Sequence, residues 1–494
     1  MEIDSYRTEA EHFLSELDRE YYLHYSGIKE SFEIEAVYDR HSQLFERDAV
    51  DRIREAYDTA GRGTELARQR RILLDFAVEG HIGTQTKALE AEMARREAGL
   101  TLEVDGTDVG YRQALVIQAN TADPAARRVI GTQLLDLIDR ELNPVAGEII
   151  QRQHITATEL GFASYAAMCA ELKGVDLEGL ATATRRFITE SAARYPAVVG
   201  PELQAGLGYE LDEMSVDDFG RFSRATDLDS SFPAQRLLPS LYETVGGLGI
   251  DMHAQPNVHL DVEARPNKTP RAFCAPVRAP DEVYLVIAPS GGREDYNALF
   301  HEAGHTQHFA HMDRTLPFEY RYLGDSAITE GFAFLFEHLE QNPRWLARWV
   351  RSAEPEAVLR RSVANRAMMI RRYAAKLDYE LDLHGAAPAV DPAGRYAELL
   401  SDGIGFPWPR ERHLTDVDPG FYCAYYLRAW ALETSLRRVL TERFSESWFE
   451  QPEAGELLRE WWSGGQRLSA EEFLHEITGE TLDFSVLLED LNLV

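Results

Sequence analysis

The sequence predicts a mainly α-helical, two-lobed protein with a small β-sheet set into its second half. Three observations carry this. Apolar residues recur at three and four positions through most of the first 196 residues; alternation at 257–264 and a short apolar run at 283–287 interrupt that period; and the helical period then returns almost to the end. A chain of 494 residues, 44% of them hydrophobic, can bury a large core, and its length fits either about three domains or one large two-lobed molecule. The expected division is an N-terminal helical lobe over 1–228 and a second lobe over 229–494.

In chain order, residues 50–71 and 130–142 read as helices, and Asn143-Pro144 ends the second and starts the next, because the residue before proline avoids the helical region. Residues 233–245 form another helix, stopped by Gly246-Gly247. In 257–264, Val258, Leu260 and Val262 alternate with His259, Asp261 and Glu263, the pattern of a half-buried strand; 283–287 is a second strand, between Pro280 and Pro289. Helices follow over 294–312, 329–340, 355–384 and 422–440, and Ser469 with Glu472 forms a capping box for a last one. Met368, Met369, Trp461 and Trp462 read as core. The arginines between Arg351 and Arg372 read as a solvated, salt-bridged face.

Composition narrows function. With 51 Lys+Arg against 83 Asp+Glu the net charge is −32, which disfavours nucleic acid and anionic lipid as partners. Three scattered cysteines, Cys169, Cys274 and Cys423, give neither a disulfide framework nor a thiolate metal site. The acidic start lacks the form of a signal peptide, and no apolar stretch nears the roughly 18–20 residues of a membrane span, so the expectation is a cytoplasmic protein. No phosphate loop or dinucleotide fingerprint occurs.

The sharpest motif is His301-Glu302-Ala303-Gly304-His305. On a helix, residues four apart lie about 40° and 6 Å from one another, so His301 and His305 can reach one metal ion, with Glu302 beside them as a base that does not ligate. A hydrolytic Zn2+ site needs a third protein donor. His311 has the spacing of the long zincin motif, but His308 stands where that motif needs glycine, and a continuing helix carries His311 about 15 Å away. Glu330, in a segment rich in aromatics, is the better candidate: a carboxylate buried there needs a partner, and a metal supplies one. Glu337, two turns further on, is placed to orient a ligand imidazole. His308 reads as either a surface histidine or a substrate contact.

These residues resemble the thimet oligopeptidase, neurolysin and oligoendopeptidase F family of zinc metallopeptidases, gluzincins related to angiotensin-converting enzyme. The likeness rests on the H-E-x-G-H helix, the glutamate opening an aromatic helix, and Arg265-Pro266-Asn267-Lys268 and Arg271-Ala272-Phe273-Cys274 ahead of the strand at 283–287. Gln307, and a block with His413 and Tyr422-Cys423-Ala424-Tyr425-Tyr426, add to it. It covers about half of the chain, residues 230–488.

The resemblance implies a helical metallopeptidase with a deep channel for short unfolded peptides, one Zn2+ per chain and a small sheet beside it. It implies that the strand at 283–287 pairs with substrate backbone, and that Tyr425, with Tyr422 and His413, donates to the substrate carbonyl and the oxyanion. Leu427-Arg428 departs from the family pattern. Arg428 is therefore a candidate for gripping a substrate carboxylate, which would shift the activity toward carboxypeptidase or dipeptidyl carboxypeptidase action. An inactive peptide-binding protein on the same scaffold is the remaining alternative.

Overall fold

The computed structural model describes residues 2–387 and 389–492. Helices dominate these residues, and two compact units share them. One comprises 1–81, 228–359 and 428–487, the other 82–227, 360–427 and 488–494. Neither unit is a continuous stretch of chain.

The second unit holds a hairpin of β1 (Thr101–Val104) and β2 (Thr107–Gly110), paired antiparallel from Thr101 opposite Gly110 to Val104 opposite Thr107. Its turn is Asp105-Gly106, both at positive φ (52° and 76°), the dipeptide that two-residue hairpin turns favour. Leu102 anchors the hairpin in a cluster with Tyr111, Ile130, Leu134 and Ile138. The helix expected at 130–142 is the α-helix Pro124–Leu137 followed by one π-turn over Ile138–Leu142, and Asn143–Glu159 starts with proline in its first turn. The helix Pro355–His384 has the expected bounds, but its arginines are not uniformly solvated. Arg360 is exposed, whereas Arg361 and Arg371 are buried. Arg361 pairs with Glu202 and Asp227, and Arg371 donates to the carbonyls of Gly403 and Ile188 and to Ser191. A sequence with excess acid shows only that guanidinium partners exist; it does not show how many pairs packing seals from water.

In the first unit the helix Ile3–Tyr25 buries Tyr6, Ala10 and Phe13 at helical spacing, and the Tyr6 hydroxyl donates to the Leu44 carbonyl at 3.1 Å. The single helix expected over 50–71 is two, Arg47–Thr59 and Glu65–Gly99. Between them Gly61 and Gly63 take φ of 75° and 74°, which a continuing helix does not allow. The small sheet has three strands, β3 (Val258–Asp261), β4 (Phe273–Arg278) and β5 (Glu282–Val286), in the order β3-β5-β4. β5 runs parallel to β3 and antiparallel to β4. Its continuous apolar run follows from this central place, since Val283, Leu285 and Val286 are all fully buried.

The helix Arg293–His311 leaves the sheet through Gly291-Gly292, and the Asp229 carboxylate accepts from its first N–H at 3.0 Å. It packs on the helix Ser326–Glu337, and Gly304 sets how closely: a Cβ there would lie 2.6 Å from both Cα of Ala333 and the carbonyl oxygen of Phe332. Trp461 and Trp462 are core, as expected. The capping box at Ser469 and Glu472 opens the helix Ala470–Thr478.

Candidate metal centre

The helix Arg293–His311 brings His301 and His305 onto one face, ring centroids 4.9 Å apart, opposite Glu330 in the first turns of Ser326–Glu337. Each imidazole is oriented through Nδ1: His301 meets Glu337 Oε2 at 2.9 Å, and His305 meets Thr329 Oγ1 at 2.7 Å. Both Nε2 atoms are thereby turned on the same carboxylate oxygen, Glu330 Oε2, at 3.4 and 3.6 Å. The three ligand atoms lie within 4.8 Å of one another. Bonds of about 2.0–2.2 Å at tetrahedral angles separate neighbouring ligand atoms by roughly 3.3–3.6 Å, so this donor set has the spacing and the N,N,O chemistry of a hydrolytic zinc site. The residues fit the ion.

Electrostatics set the two imidazoles apart. Burial lowers the His305 pKa to about 4, which keeps the ring neutral with a free lone pair. For His301 burial acts the same way, but the hydrogen bonds to Glu330 and Glu337 outweigh it and raise the pKa well above the usual histidine value. A carboxylate behind an imidazole strengthens it as a donor. Glu302, on the same helix, is lifted to about 7 by burial, against the opposing pull of His301 and of a hydrogen bond from the Cys274 N–H. That bond, 2.8 Å to Oε2, ties the carboxylate to β4.

Two of these contacts had no expectation behind them. Thr329 precedes Glu330, and a hydroxyl next to a candidate ligand is the only hint it offers. Cys274 acts through its backbone N–H, for which no side-chain signal exists. The strand beside Glu302 is β4, whereas the strand expected to pair with substrate, at 283–287, is the central β5 with both edges already paired. His311 does not join the ligand cluster: its Nδ1 lies 2.8 Å from the Gln307 carbonyl and its ring packs on Trp462. His308 is neither on the surface nor open to substrate. It is fully buried against Phe332, and burial drops its pKa to about 3.

Arg428 is enclosed rather than presented to substrate. Only 1% exposed, it donates to Asp325 at 2.9 and 2.5 Å and to Glu471 at 2.7 and 2.5 Å, which leaves no face for a substrate carboxylate. Asp325 in turn accepts from the Ala327 N–H as cap of the helix carrying Thr329, Glu330 and Glu337, and from the Ala470 N–H. Arg428 thus secures the helix that carries Thr329, Glu330 and Glu337. His413, Tyr422 and Tyr425 belong to the second unit. There His413 Nδ1 lies 3.1 Å from the Arg410 carbonyl, Tyr425 is buried beneath the Lys173 ammonium, and Tyr422 packs edge-on to Tyr425 and Tyr426.

No protein-family model and no curated protein matches the sequence. Solved structures do match, 155 chains among them. The likeness is one of fold, mainly α-helical with small sheets. One of them is the crystal structure of a putative oligoendopeptidase F from Bacillus anthracis str. Ames, with a TM-score of 0.61 and 12% identity, covering 96% of this chain and 84% of that one. The chain shares the fold of that protein. No helix among the described residues is long and apolar enough to cross a membrane.

Proposed function

We propose that the protein is a zinc-dependent peptidase that hydrolyses short unfolded peptides. The observation that carries this is the convergence of His301 Nε2, His305 Nε2 and Glu330 Oε2, with Glu302 held alongside by the Cys274 N–H. Bound by these three side chains, Zn2+ supplies a Lewis acid that polarises a carbonyl and lowers the pKa of water toward about 7. The rest falls to the chain. His301 and His305 stay fixed through Glu337 and Thr329. Glu302 has one oxygen engaged by Cys274, so Oε1 is the atom that takes a proton from the attacking water and delivers it to the leaving amine.

The test is metal content measured alongside cleavage of a peptide library, with and without a chelator. Near one zinc per chain with chelator-sensitive cleavage supports the reading; zinc without cleavage favours a binding protein; absence of bound metal refutes it. Between modes of cleavage, the burial of Arg428 removes the residue that favoured carboxypeptidase action, so endopeptidase action is the proposed mode.

A further inference from the structure

We propose that Asp18 and the aromatic side chains that follow it on the helix Ile3–Tyr25 form a subsite for a cationic group of the peptide, an ammonium or a guanidinium. The proposal rests on the peptidase reading and adds to it a preference for charge.

Asp18, Tyr21, Tyr22 and Tyr25 recur at three and four positions and so share one face of the helix. Their contacts locate that face. Tyr22 stacks on Tyr284 of β5 at 3.8 Å, and Tyr25 meets Phe273, the first residue of β4, at 6.3 Å. Asp18 lies close enough to the thiol of Cys274, the next residue, for its charge to act on it. The backbone N–H of that cysteine holds Glu302. The helix face therefore runs beside the strand that positions the proposed base.

Charges around this face are paired. Arg7 meets Glu319 and Glu11 meets Arg321, each at 2.6 Å; Lys29 meets Glu20 at 2.7 Å; Asp261 is held by Arg265 and Lys268. Asp18 differs. It is half-buried, yet among the described residues its carboxyl has neither a side-chain hydrogen bond nor an ion pair, and burial lifts it to about 7. An uncompensated carboxylate in such a place is unfavourable until a cation arrives. Tyr21 and Tyr25 stack at 5.9 Å with planes 7° apart, Phe32 closes on both at 5.4 and 5.5 Å, and Tyr25 and Phe32 are 39% and 36% exposed. Ring faces beside a carboxylate select cations; an apolar side chain would need the rings alone.

The source of the cation is either the α-amine of the peptide or a Lys or Arg side chain. To test the subsite, a short peptide is prepared with Arg scanned through its positions or Gln in its place, each with a free or acetylated N-terminus, and kcat/KM is measured for the wild type and for Asp18→Asn. The expected result is a preference for cationic peptides of about ten- to a hundredfold that collapses in the variant. Loss of the preference on acetylation assigns it to the α-amine, and loss on replacing Arg assigns it to the side chain. Absence of any preference in the wild type, or its survival in Asp18→Asn, overturns the proposal. The same peptides titrated onto Glu302→Gln protein read the subsite by binding alone, so failure to cleave would count against the peptidase reading without deciding this one. Should Asp18→Asn fail to fold, Tyr25→Leu, on an exposed ring, must weaken the discrimination for the subsite to stand.

Discussion

Replacing Arg428 with methionine separates a scaffold role from a substrate role. The guanidinium is sealed from solvent and makes four hydrogen bonds to two carboxylates, so its removal leaves Asp325, itself 10% exposed, without its cation. Breaking a buried pair by deleting one partner destabilises by about 3–5 kcal/mol, and Glu471, half in water, adds little. For a unit of this size that corresponds to a fall of roughly 6–10 °C in the unfolding midpoint. Because Asp325 caps the helix bearing Thr329 and Glu330, zinc affinity should fall along with stability. The assay is thermal unfolding with and without added zinc, run beside cleavage of matched peptides with free and amidated C-termini. Discrimination between the two C-termini should not change. A variant with a wild-type midpoint that specifically lost activity on free C-termini would refute the reasoning and restore Arg428 as a carboxylate grip.

Glu302→Gln should bind zinc like the wild type and lose most turnover; wild-type hydrolysis by this variant would remove the assigned base. Glu337→Gln and Thr329→Val, which release the two imidazoles from their Nδ1 partners, should each weaken zinc binding about 10- to 100-fold in a competition titration with a chromogenic chelator. Gly304→Ala forces two helix backbones apart and should cost about 1–3 kcal/mol in denaturant unfolding. Burial raises the Glu380 carboxyl from its ordinary 4.5 to about 8, so between those values the folded chain holds a proton that the unfolded chain has lost, and stability should fall as pH rises through this window. Glu380→Gln should show a shallower fall in unfolding midpoint from about pH 5 to pH 8, and an unchanged slope would count against a protonated Glu380.

What could be read from the sequence was whatever helical geometry determines. The angle between residues four apart puts His301 beside His305, and the seven-residue step from Glu330 to Glu337 gives the second carboxylate behind the first. Strand bounds followed where alternation or an apolar run announced them. β4 carries no strand signal of its own, because Phe273, Cys274 and Ala275 neither alternate nor form a long apolar run, and its pairing to β5 is decided by tertiary contact. The β1-β2 hairpin did carry a signal, Asp105-Gly106 between Leu102 and Val109, which the surrounding helical period obscured. The place of Arg428 is not legible in the sequence, because charge says nothing of depth: an arginine reads the same whether it faces substrate or is enclosed by Asp325 and Glu471.

The order in which the chain is made bears on its interleaved units. The proposed ligands and their supports, from Cys274 to Glu337, emerge from the ribosome within a short stretch, so the contacts among them can form early and with little loop-closure entropy. The unit around them cannot be completed at that stage. Its first 81 residues must wait for partners as late as Glu472, which Arg68 meets at 2.6 Å. For most of synthesis the nascent N-terminal helices therefore lack part of the surface they are to cover, the condition in which chaperones hold a chain. Cutting the gene at a linear domain boundary would make that condition permanent.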